Sequence, residues 1–131
     1  MFSKYRILIF SQNPDELMPF YRDVLKLKLE KKLDLPNDYG YMFHVAGEMK
    51  LWIGKHSEVK GKSKEPVRII HNLYTDEVQK WYKRVEKAGC KILCKPQLTP
   101  IATKEDPCYV CTFLDPENNC WQFMGLLTSK K

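Results

Sequence analysis

Two periodicities alternate along this chain. Leu17, Phe20, Tyr21, Val24 and Leu25 fall at helical spacing, as do Val78, Trp81, Tyr82 and Val85, and each set forms one apolar stripe. Asn13 predicts the start of the first helix. Pro14 stands at the first helical position, where its missing N–H costs nothing, and Glu16 is placed to close a capping box. Thr75 is the expected cap of the second helix and Gly89 its stop. Around the first helix, residues 5–10, 27–33, 39–46 and 49–54 read as strands. Around the second, residues 67–73, 91–94, 108–114 and 120–125 do. Each half is therefore strand, helix, strand, strand, strand.

The two helices are copies. Asp15-Glu16-Leu17 and Asp76-Glu77-Val78 open them, and Phe20-Tyr21-Arg22 and Trp81-Tyr82-Lys83 follow after two residues. One further residue then leads to Val24 or Val85. Such a repeat, spaced by about half the chain, marks a duplicated supersecondary unit. Residues 55–66 are polar, contain Gly61 and end in Pro66, so they read as the linker between the halves. Residues 96–107 hold Pro96, Pro100 and Pro107 and read as an irregular loop, of the kind that often serves as a lid.

Composition narrows the function classes. The chain of 131 residues, 44% of them hydrophobic, suits a single compact domain. No apolar run approaches the ~20 residues that span a bilayer, and residues 1–10 lack the apolar core of a signal peptide. The expectation is a cytoplasmic protein without a membrane partner. Much of the +6 charge lies in residues 55–64 and in Lys130-Lys131, which read as solvated loop and tail; no nucleic-acid motif accompanies them, and no nucleic-acid partner is expected. The five cysteines, Cys90, Cys94, Cys108, Cys111 and Cys120, are odd in number. Cys108 and Cys111 fall on an expected strand and point to opposite faces, so reduced, structural thiols are expected.

The duplicated unit resembles the vicinal oxygen chelate superfamily, which includes glyoxalase I, extradiol dioxygenases, fosfomycin-resistance enzymes and bleomycin-resistance proteins. Three motifs carry the resemblance. The run from Phe20 to Leu25 matches the family's first-helix signature, with Lys26 where Gly is usual; Asp76 to Gly89 matches the second helix. Phe113-Leu114-Asp115-Pro116-Glu117-Asn118-Asn119 matches the closing hairpin, with Asn118 at the glycine position. The resemblance implies an α+β fold of two tandem βαβββ modules, 1–54 and 67–131, forming a cupped, mostly antiparallel sheet cavity. It also implies a homodimer, with halves paired within one chain or by swapping.

In the family's enzymes a divalent metal takes His, Gln or Glu from the first and last strands of each half. Counting back from the helix motifs puts those positions on Arg6, on Trp52 (Ile53 after a one-residue slip), on Ile70 and on Gln122. A guanidinium has no lone pair to donate. A one-residue slip would turn His71 inward instead of Ile70; His44 is expected on the outer face or rim, and His56 in the linker. Alternation adds Leu8, Phe10, Lys50, Arg68, Asn72, Cys120 and Met124 to the inner faces. The candidate ligand-binding residues are therefore Arg6, Lys50, Trp52, Arg68, Ile70, Asn72 and Gln122. Trp52 would supply a stacking face, and Arg6 or Arg68 a fork for an anion, unless the arginines pair with acids or sit at the rim. No metal site, cofactor or catalytic residue is identified.

Three functions are open. The leading one is a metal-free protein of the glyoxalase/bleomycin-resistance type that binds an organic, anionic or aromatic small molecule. The alternative is a lyase or isomerase of the same superfamily, possibly metal-dependent through His71 and Gln122; the third is a module whose partner is another protein.

Overall fold

The computed structural model describes residues 1–129, so the Lys130-Lys131 tail lies outside the described residues. The chain forms two compact units, Met1–Gly61 and Lys62–Lys131. In the first, strand β1 (Arg6–Ser11) leads to helix α1 (Pro14–Pro19), then β2 (Lys28–Leu35), β3 (Asp38–Ala46) and β4 (Met49–Lys55). The sheet order is β1-β4-β3-β2, with β1 parallel to β4 and the other pairs antiparallel. The second unit repeats the plan with β5 (Ile70–Tyr74), α2 (Val78–Lys87), β6 (Ile92–Leu98), β7 (Tyr109–Leu114) and β8 (Cys120–Gly125). Its order is β5-β8-β7-β6, again with one parallel pair. Two mixed, mostly antiparallel four-stranded sheets and two helices thus make the α+β architecture that the duplicated pattern implies.

Each core lies between a sheet and its own helix. In the first unit, Ile9, Phe43, Leu51 and Ile53 bury one sheet face against Leu17, Phe20 and Tyr21. In the second, Cys111, Phe113, Trp121 and Phe123 do so against Val78, Tyr82 and Val85. Burying each of the larger apolar groups contributes on the order of 1.5–3 kcal/mol. The aromatic residues of both helix motifs pack helix on sheet, as their spacing predicts.

The helix ends differ from the expected caps. The Asn13 side chain caps nothing. Its own N–H bonds Ser11 Oγ at 2.9 Å, while Glu16 N–H closes the first turn on Asn13 O. The second helix begins after Glu77, not Thr75. Thr75 Oγ1 takes the Glu77 N–H, and the first free helical N–H groups, on Val78 and Gln79, bond Leu126 O and Leu127 O. The first helix is also not continuous. Pro19 has no N–H for the Asp15 carbonyl, and the chain widens into a π turn over Phe20–Val24.

Two strand boundaries shift as well. Pro66–Arg68 forms a 3-10 turn, so β5 starts at Ile70 rather than at residue 67. β6 runs on to Leu98, absorbing Pro96 where its register with β7 breaks.

Candidate ligand-binding face

Strand register determines which side chains share a face. Arg6 stands opposite Lys50, Leu8 opposite Trp52 and Phe10 opposite Gly54. Trp52 in turn opposes Met42, and Lys50 opposes His44. Since Ile9, Leu51 and Ile53 bury the helix side, these residues occupy the helix-free face of the first sheet. His44 is among them, so of the two places expected for it, outer face or rim, the register excludes the outer face. The alternation of β2 is interrupted by a bulge between Leu29 and Lys31, which brings Lys28, opposite His44, and Lys31, opposite Met42, onto the same face. Glu30, at the bulge, reaches Lys50 and accepts its ammonium proton at 2.5 Å. That bond holds the Glu30 carboxyl below its usual range.

Trp52 is only 6% exposed. A Cβ added to Gly54 would lie 2.1 Å from Trp52 Nε1, and one added to Gly40 would lie 2.6 Å from its Cζ2. Gly40 and Gly54 are paired across β3 and β4, so the indole lies over a bed of two side-chain-free residues. It is a floor of the face rather than a free stacking wall.

In the second unit Ile70 opposes Cys120, Asn72 opposes Gln122 and Tyr74 opposes Met124. Gln122 accepts the Thr112 hydroxyl proton at 3.3 Å, and Asn72 Nδ2 approaches Met124 Sδ at 3.6 Å. Ile70, Asn72 and Gln122 therefore share that sheet's helix-free face. Arg68 does not join them: the 3-10 turn takes it off the strand, and Glu65 pairs with its exposed guanidinium. His71 points the other way, its ring 4.6 Å from that of the fully buried Trp121. Burial there pushes its pKa below the ordinary histidine value.

The four positions that the resemblance assigns to metal ligands, Arg6, Trp52, Ile70 and Gln122, hold a guanidinium, an indole, an alkyl group and one neutral amide. That donor set does not fit a divalent cation. Among the described residues, no three His, Cys, Asp or Glu side chains come together as a metal site needs.

A separate cluster lies on the helix side of the first sheet. Tyr39 and Tyr41 both donate their hydroxyl protons to Asp15 Oδ1, and Lys32 Nζ sits 5.3 Å and 5.5 Å from the two ring centroids. The two phenols hold the Asp15 carboxyl below its ordinary range, while burial and the same bond raise the Tyr41 phenol. Sequence reading missed this cluster. Its one signal was the spacing of Tyr39 and Tyr41, which share a strand face.

Comparison with known proteins agrees with the geometry. The model of the Glyoxalase/Bleomycin resistance protein/Dioxygenase superfamily matches residues 5–123, and the chain belongs to this family. A superfamily member from Sphaerobacter thermophilus is similar in structure, with a TM-score of 0.74, 14% identity, and coverage of 95% of this chain and 97% of that one. TioX from Micromonospora sp. ML1 gives 0.71 at 15% identity, covering 94% and 98%. A lactoylglutathione lyase from Agrobacterium tumefaciens gives 0.64 at 20% identity, covering 93% and 92%. At these identities the likeness is one of fold. No protein with a curated description matches the chain. Among the described residues no helix is long and apolar enough to cross a membrane.

Proposed function

We propose that this member of the Glyoxalase/Bleomycin resistance protein/Dioxygenase superfamily binds a small organic anion without a divalent metal, in the manner of the bleomycin-resistance branch. One observation carries the reading: Arg6, which the resemblance places at the first metal-ligand position, stands opposite Lys50 and one strand repeat from the apolar Leu8 and Trp52. A cation there repels a divalent ion and attracts a carboxylate or phosphate. The lyase or isomerase alternative loses its imidazole, because His71 packs against Trp121 on the helix side.

The test is a thermal-shift screen of the purified protein against small anionic aromatics and against Ni, Mn, Fe and Zn. Stabilisation by organic anions and none by metals supports the reading. Arg6→Ala should weaken a ligand found in this way by about 1.5 kcal/mol, the low end for a hydrogen bond to a charged group because Arg6 is exposed. One tightly held metal ion per chain, found by elemental analysis of untagged protein, would overturn it.

A further inference from the structure

The first sheet carries a transverse row of basic residues that crosses all four of its strands. Arg6 on β1 opposes Lys50 on β4, Lys50 opposes His44 on β3, and His44 opposes Lys28 on β2. Neighbouring strands lie about 4.8 Å apart, so the row is roughly 14 Å long and each basic side chain has another beside it. Like charges directly opposite one another destabilise a sheet. Among the described residues, the one carboxylate in an ion pair with the row is Glu30, bound to Lys50. His44 Nε2 is 3.0 Å from Gly47 O, and among the described residues Arg6 and Lys28 form no salt bridge, while the Glu30 charge acts on Lys28 and His44 as well as on Lys50.

Three permanent cations against one carboxylate leave a surplus of two positive charges. That surplus matches a phosphate monoester, which carries about −1.5 to −2 at neutral pH. The next row along the strands, roughly 7 Å away, is Leu8, Trp52 and Met42, with Lys31 at its end. Leu8 is 55% exposed, and Phe10 in the row beyond is half-buried. The face thus changes from cationic to apolar within one strand repeat. A nucleic-acid backbone would need the basic stripe to continue across the sheet, and in the next row Lys31, at the β2 end, is the one basic residue.

We propose that the row Arg6–Lys50–His44–Lys28 seats a phosphate-type dianion, and that the ligand's apolar body lies along the strands over Leu8 and Met42. The inference rests on the anion-binding reading above and sharpens it from any organic anion to one class.

The test compares 1-naphthyl phosphate, 1-naphthoate and 1-naphthol by calorimetry at low salt, using the full chain. The phosphate should bind about tenfold more tightly than the carboxylate, and the carboxylate more tightly than the neutral naphthol. Lys28→Gln should weaken the phosphate several-fold with little effect on naphthol. Lys87→Gln, which removes the same charge from α2, should leave all three unchanged. Carboxylate binding equal to or tighter than phosphate, with Lys28→Gln silent, would overturn the dianion seat and leave the anion reading standing. Equal binding of naphthol, or binding of none of the three, would overturn both. A short single-stranded oligonucleotide binding more tightly than naphthyl phosphate, and losing affinity in Lys28→Gln, would assign the row to a polyanion and overturn the proposal.

Discussion

Single residues carry backbone demands that the sequence shows only in part. Lys26 ends the first helical segment with φ 58°, while Leu25 N–H bonds Phe20 O and Leu27 N–H bonds Tyr21 O across it. This is the left-handed closing position where glycine is usual, and a lysine there carries strain. Lys26→Gly should stabilise the protein by about 0.5–1 kcal/mol, the relief of strain less glycine's extra chain entropy. Chemical denaturation measures this, and a loss of stability would contradict it. Asn118, at φ 66°, fills the equivalent need in the β7–β8 hairpin, where Asp115 accepts the Glu117 and Asn119 N–H groups. Gly54 makes the opposite demand, for space rather than conformation. Gly54→Ala drives a methyl into the Trp52 indole and should cost about 1–3 kcal/mol, as overpacking does. An unchanged denaturation midpoint would mean that the indole does not lie over Gly54.

At the scale of elements, tertiary partners override local caps. Asp15 in the first turn of α1 is tied to β3 by two phenols from Tyr39 and Tyr41, 24 and 26 residues away in sequence. A carboxyl held below its ordinary value of 3.8 by folding stabilises the fold above that pH, and the contribution is lost as pH falls through the lower folded value. Stability of the native chain should therefore decline more steeply below about pH 4 than that of the Tyr39→Phe, Tyr41→Phe double variant. Denaturation midpoints measured across this range give the comparison, and parallel curves would exclude the coupling. The strand alternation of the sheets was legible from sequence because period two follows from the pleat alone. The bulge at Glu30 and the π turn after Pro19 were not, because each depends on how one segment meets its neighbours.

The molecule as a whole is two copies of one plan, each with its own core, and its thiols all belong to the second. All five cysteines are free. Cys111 and Cys120 are 1% and 2% exposed, and burial pushes the Cys90 and Cys111 thiols up to about 11. A thiol in that state is a poor nucleophile at neutral pH. Brief alkylation of the native protein should therefore spare Cys111 and Cys120, while the denatured chain takes label at all five cysteines. Mass spectrometry distinguishes the two patterns. Ready labelling of native Cys111, or a mass deficit from a disulfide in unreduced protein, would contradict the structure.

Sequence alone determined the duplicated strand-helix-strand-strand-strand plan, because periodicity and the repeated helix motif are local signals that any sheet or helix must carry. It also placed Arg6, Lys50, Trp52, Ile70, Asn72 and Gln122 on their strand faces, since a strand offers only two. Tertiary structure alone decided that Arg68 turns away with Glu65, and that Trp52 lies flat on Gly40 and Gly54. It likewise brought His44 and Lys28 into line with Arg6 and Lys50. Such a row depends on the register between strands distant in sequence and on one bulge, and no local pattern in the chain encodes either.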